Sequence, residues 1–169
     1  MRPAHKRSAR DGFSLIEVAA ATAIVSIALT ALLVAVGSNT RVNDAGGKIT
    51  QAAALAQEIR EWTLTLPFVD PDPGDAGKPP GPDGSSPQVF VDDLDDLMDV
   101  TFSPPRNGQG NPIYAMGGWS QTILLTWRDP NSLLTPVTPG QSDILCAEVQ
   151  VAFQGQIILT TNWLVTRRE

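Results

Sequence analysis

The apolar positions of this chain fall into three patterns, and each predicts a different kind of element. From 13 to 36 the sequence FSLIEVAAATAIVSIALTALLVAV is apolar almost without interruption and carries one charge, Glu17. A helix of that length rises roughly 36 Å, enough to cross a hydrocarbon core of about 30 Å. From 38 to 66 the period changes to that of a one-sided helix. Val42, Ile49, Ala52, Ala56, Ile59, Thr63 and Leu66 recur at three, four or seven, while Arg41, Lys48, Gln51, Glu58 and Glu61 fall elsewhere. The two stretches predict one helix over about 13–65, with Gly46-Gly47 as its weak place and Pro67 as its end.

Beyond 118 the period is two. Trp119, Gln121, Ile123, Leu125 and Trp127 share one face of a strand. Leu145, Ala147, Val149, Val151 and Phe153 share a face of a second, and Ile157, Leu159, Trp163 and Val165 a face of a third. Gln154-Gly155 joins the last two as a tight hairpin. Between the helix and these strands lie segments without period. Residues 67–87, PFVDPDPGDAGKPPGPDGSSP, are too rich in proline and glycine for a packed element, and residues 102–118 and 129–143 also read as loops. The expected organisation is therefore a basic leader at 1–12, a membrane-crossing helix at 13–37, its amphipathic continuation at 38–66, a Pro/Gly/Asp-rich loop region at 67–118 and an antiparallel sheet at 119–169. An amphipathic helix and a one-faced sheet of three or four strands cover each other, giving an α+β domain.

Charge adds an orientation. Arg2, Lys6, Arg7 and Arg10 stand against Asp11 in the first 12 residues, so a net of -6 over the chain leaves the remainder with eight basic and seventeen acidic residues. Basic residues before an apolar span keep the N-terminus cytoplasmic, so the acidic part faces the periplasm or the exterior. That acidity is a poor match for nucleic acid, which needs clustered Lys and Arg. His5 is the sole histidine and lies in the leader; Cys146 is the sole cysteine and cannot form an intrachain disulfide. With no nucleophile motif, phosphate loop or metal-ligand cluster either, enzymatic activity is not expected, and neither is a cofactor. Asp70, Asp72 and Asp75 are spaced closely enough to suit a hard cation such as calcium, but they fit no complete motif, and the prolines account for the segment as a linker. Asp92, Asp93, Asp95, Asp96 and Asp99 read as a solvated acidic turn, with a cation site as the alternative.

Glu17 is the residue these patterns leave unexplained. The apolar run is too long for a cleaved secretory signal. In a plain membrane anchor a carboxylate costs on the order of 2–3 kcal/mol at mid-bilayer. The segment Gly12-Phe13-Ser14-Leu15-Ile16-Glu17-Val18 resembles the cleavage and methylation site of type IV prepilins and type II secretion pseudopilins. The resemblance implies a pilin-like fold. It also implies cleavage between Gly12 and Phe13 by a prepilin peptidase, N-methylation of Phe13, and Glu17 as the fifth mature residue. In that family this glutamate neutralises the N-terminal amine of a neighbouring subunit, so that each charge offsets the other's desolvation. The implied partners are the peptidase, other pilin or pseudopilin subunits, the inner-membrane assembly platform and membrane lipid. Val34 stands where major pilins often have a proline, and one cysteine cannot form their C-terminal loop, so the stretch is more similar to minor subunits. A pilus, a secretion pseudopilus and a DNA-uptake apparatus all remain open as the machine. A membrane-anchored binding module that does not polymerise is the alternative function.

Overall fold

A computed structural model describes residues 12–73, 78–82 and 90–167. The leader up to Asp11 lies outside the described residues, as does Asp75. The chain divides into two compact units between Ala45 and Gly46.

The first unit is helical. Helix α1 (Leu15–Thr65) supplies all of its secondary structure and enters the second unit, and the backbone stays helical at Gly46 and Gly47. None of the most apolar window of α1 is buried, and that window is long and apolar enough to cross a membrane. Ile16, Leu33 and Val34 are each more than two-thirds exposed, an arrangement that water penalises and lipid does not. Thr22, Ser26 and Thr30 return their hydroxyls to the carbonyls of Val18, Thr22 and Ser26, at 2.8, 2.7 and 2.8 Å. These three hydroxyls are thereby satisfied within the helix, as an apolar surrounding requires.

The second unit packs the rest of α1 on an antiparallel sheet. Its strands are β1 (Val100–Phe102), β2 (Trp119–Asp129), β3 (Ser132–Pro136), β4 (Ile144–Phe153) and β5 (Gln156–Thr166). They run in the order β1-β2-β4-β5, and β3 pairs with the end of β2. The three long strands lie where period-two alternation predicts them. Trp119, Gln121, Ile123, Leu125 and Trp127 are all buried, as are Leu145, Ala147, Val149 and Val151 opposite them. Gln154 and Gly155 both have positive φ, 51° and 81°, the pairing a two-residue type I′ hairpin demands.

Three expectations change. The sheet has five strands, because β1 and β3 form within segments that read as loops. β1 is three residues long and β3 is exposed throughout, too short or too wet to show an apolar period. Ile157 is 55 % exposed rather than inward: the register shifts between Val151 and Ala152, so that Leu159 faces Val151 while Ile157 faces Ala152. Such a bulge moves a side chain to the opposite face. On α1 the buried positions are Ala52, Leu55, Ala56, Ile59, Trp62 and Thr63, whereas Val42 and Ile49 are exposed. The apolar stripe is thus inward only where the sheet lies beneath it, and it also takes in Leu55 and Trp62.

A buried glutamine ties helix, loop and sheet together. Gln121 is fully buried in β2; its amide nitrogen donates to the carbonyls of Leu55 (2.8 Å) and Arg106 (3.1 Å), and its oxygen accepts from the Arg106 backbone N–H (2.6 Å). The same loop meets the helix again where Gly108 N–H donates to Glu58 (2.6 Å). Gly110 has φ +77°, and a Cβ there would stand 2.6 Å from the Trp62 ring, so the close approach requires glycine. Trp62 also packs on Phe102 with centroids 5.6 Å apart. At the far edge Trp163 Nε1 donates to Thr63 Oγ1 at 3.1 Å, fixing β5 to the helix.

Candidate functional sites

The first site is the N-terminal end of α1. Ser14 precedes the helix, and the Glu17 N–H donates to both the Ser14 carbonyl (3.1 Å) and its Oγ (3.3 Å). Ser14 is therefore the N-cap, and Ser14 with Glu17 has the spacing of a capping box. The sequence reading passed over this role, although Ser-x-x-Glu ahead of an apolar run is its signal. A carboxylate in the first turn also faces the positive end of the helix dipole, which lowers the cost of carrying it. Phe13, Glu17, Val18, Ala21, Thr22 and Val25 line one shallow, mostly apolar groove on this face. Phe13 is 83 % exposed and Glu17 is exposed, so both are open to a neighbouring molecule. Gly12 is the first described residue, and a Cβ there would meet nothing.

The second candidate lies in the second unit, where the acidic residues sort differently from their order in sequence. Asp70 and Asp72 fold on their own loop: the Asp72 N–H donates to Asp70 Oδ1 at 2.6 Å. The carboxylates that meet are those of Asp92, Asp93 and Asp96, each offering an oxygen within 4.8 Å of the others. The expectation of a solvated acidic turn fails here, since Asp93 is 2 % exposed and Asp96 fully buried. The cause is local. Leu94 and Leu97 are core residues, the Leu94 N–H donates to the Pro67 carbonyl at 2.9 Å, and the short 3-10 turn Asp95–Leu97 carries its neighbours inward.

Asp93 Oδ1 caps this turn, accepting the backbone N–H of Asp95 (2.9 Å) and of Asp96 (3.1 Å). Its Oδ2 is buried without a hydrogen-bond partner among the described residues. Burial pushes the Asp93 carboxyl up to about 7, against those two backbone hydrogen bonds and with help from the charges of Asp95 and Asp96.

An apolar N-terminal helix open to lipid, continued into a helix packed on an antiparallel sheet, defines a pilin-like α+β protein. The N-terminal site then narrows the class: residues 7–33 match the prokaryotic N-terminal methylation motif, the signature of prepilins and pseudopilins. The motif and the helix together indicate membrane anchoring, and the family that carries the motif is structural rather than enzymatic. No curated protein and no solved structure matches the chain.

Proposed function

We propose that this chain is a minor pilin or minor pseudopilin: a subunit cut between Gly12 and Phe13, methylated on Phe13, and assembled through its apolar helix into a filament or its tip. The observation that carries this reading is Glu17, exposed in the first turn of a lipid-compatible helix inside a matched methylation motif. Cleavage creates a cationic amine at Phe13. In a low-dielectric layer that amine and the carboxylate of Glu17 on a neighbouring subunit stabilise each other, because each relieves the other's desolvation. The leader charge supports a second unit on the far side of the cytoplasmic membrane, and the motif supports the peptidase, sister subunits and an assembly platform as partners. No chemistry is required of the outer unit, whose role is to present surfaces.

Two measurements test the reading. Intact mass of the membrane-extracted protein should give a chain beginning at methylated Phe13; an unprocessed Met1 terminus counts against it. Glu17→Ala should insert and be cut normally yet fail to enter filaments. If filament incorporation is indifferent to Glu17→Ala, the non-polymerising binding module becomes the better reading.

A further inference from the structure

The sheet ends on an edge that its sequence does nothing to protect. Among the described residues β5 pairs with β4 and with no other strand. An open edge is a row of unpaired backbone donors and acceptors, and natural sheets blunt such rows with short strands, lysine or proline. The opposite edge conforms, because β1 has three residues. β5 has eleven, QIILTTNWLVT, with no charge and no proline, and its pairing with β4 is in unbroken register from Leu159 to Thr166. The Trp163–Thr63 hydrogen bond holds it against the helix, so the edge is already extended.

A groove runs beside this edge. Ala53, Gln57 and Arg60 of α1 form one wall and Leu159, Thr161 and Trp163 of β5 the other. A second hollow continues past Thr63 to Val165 and Arg167. Arg167 pairs with Asp143 at 3.6 Å, which leaves Arg60 as the cation the groove offers, in a part of the chain where acidic residues outnumber basic ones by about two to one. The local charge favours a neutral or acidic occupant.

A second copy is a poor occupant. Residues 53–66 of α1 lie along β5 in the same sense as the strand, Ala53 near Leu159 and Leu66 near Val165. Antiparallel pairing of two β5 edges uses a two-fold axis normal to the sheet, which turns these helical segments in opposite directions. A second β5 edge also brings no acidic side chain to meet Arg60.

We propose that the β5 edge is a docking site for one extended segment of a different polypeptide, neutral to acidic in its side chains, which adds beyond β5 as a further strand. Main-chain hydrogen bonds supply the attraction, and Arg60 selects the charge.

The test uses the full chain in detergent, so it needs no assembly and its failure leaves the reading of Glu17 untouched. The probes are a capped synthetic peptide of alternating valine and glutamate, the same peptide with lysine for glutamate, and the acidic peptide N-methylated at alternate amides. Hydrogen exchange of the edge-facing β5 amides, those not paired with β4, should slow roughly tenfold or more with the acidic peptide. It should slow less with the basic peptide and not at all with the N-methylated one. Arg60→Glu, a change at an exposed position, should reverse the charge preference. Equal effects of the plain and N-methylated peptides, or protection that maps away from β5, overturn the proposal. It is equally overturned if the edge-facing β5 amides, those that do not pair with β4, are already protected in the peptide-free monomer, or if a concentration-dependent dimer protects them.

Discussion

Asp93 makes the stability of the second unit depend on pH in an unusual direction. Its carboxyl is held near 7 in the fold, against 3.8 when unburied, because desolvation outweighs the two N–H groups that Oδ1 accepts. Between those values the folded chain binds more protons than the unfolded one. Stability is therefore fully present below about pH 4, falls as pH rises through the window, and levels off above about 7. From about pH 5 to pH 8 the loss is on the order of 2–3 kcal/mol. Asp93→Asn keeps an oxygen for the Asp95 and Asp96 N–H groups and carries no ionisable proton, so it should remove this loss and be the more stable form at pH 8.

The assay is urea unfolding of the detergent-solubilised chain, followed by tryptophan fluorescence. All four tryptophans, Trp62, Trp119, Trp127 and Trp163, lie in the second unit, so the signal reports that unit. A chelator throughout prevents a divalent ion from neutralising the cluster in place of the proton. If the wild-type midpoint is level from pH 5 to 8, or if Asp93→Asn retains the wild-type slope, the account of Asp93 as a buried, proton-holding carboxyl is wrong.

Other expected outcomes concern the clamp between helix, loop and sheet. Gln121→Leu keeps the volume but leaves the Arg106 N–H and carbonyl without their partner, and should cost about 2–3 kcal/mol in the same unfolding assay. Gly110→Ala sets a Cβ against the Trp62 ring at a positive φ; about 1–3 kcal/mol should be lost, with a shifted tryptophan emission. Ile59→Ala empties a fully buried position and should cost about 2–5 kcal/mol, while leaving membrane insertion unchanged because Ile59 lies outside the apolar span.

Much of this architecture was legible in the sequence because it rests on local repetition. An apolar run longer than a bilayer is thick, and period-two alternation in β2, β4 and β5, are properties of consecutive residues, so those elements could be read directly. The methylation motif was legible for the same reason, since its residues are neighbours in the chain; the Ser14 cap is equally local and was passed over. The acidic residues were not. Asp92, Asp93 and Asp96 look like any solvated turn until Leu94 and Leu97 are seen to be core residues, which only the packing against α1 and the sheet decides. The same holds for Gln121, whose place on an apolar face is odd in sequence and explained only by backbone partners 66 and 15 residues away. The sequence by itself thus determined the elements and the membrane-facing end. Tertiary structure decided which polar groups were buried, which edge of the sheet stayed open and which way Ile157 faced, because burial and register depend on what lies across a contact.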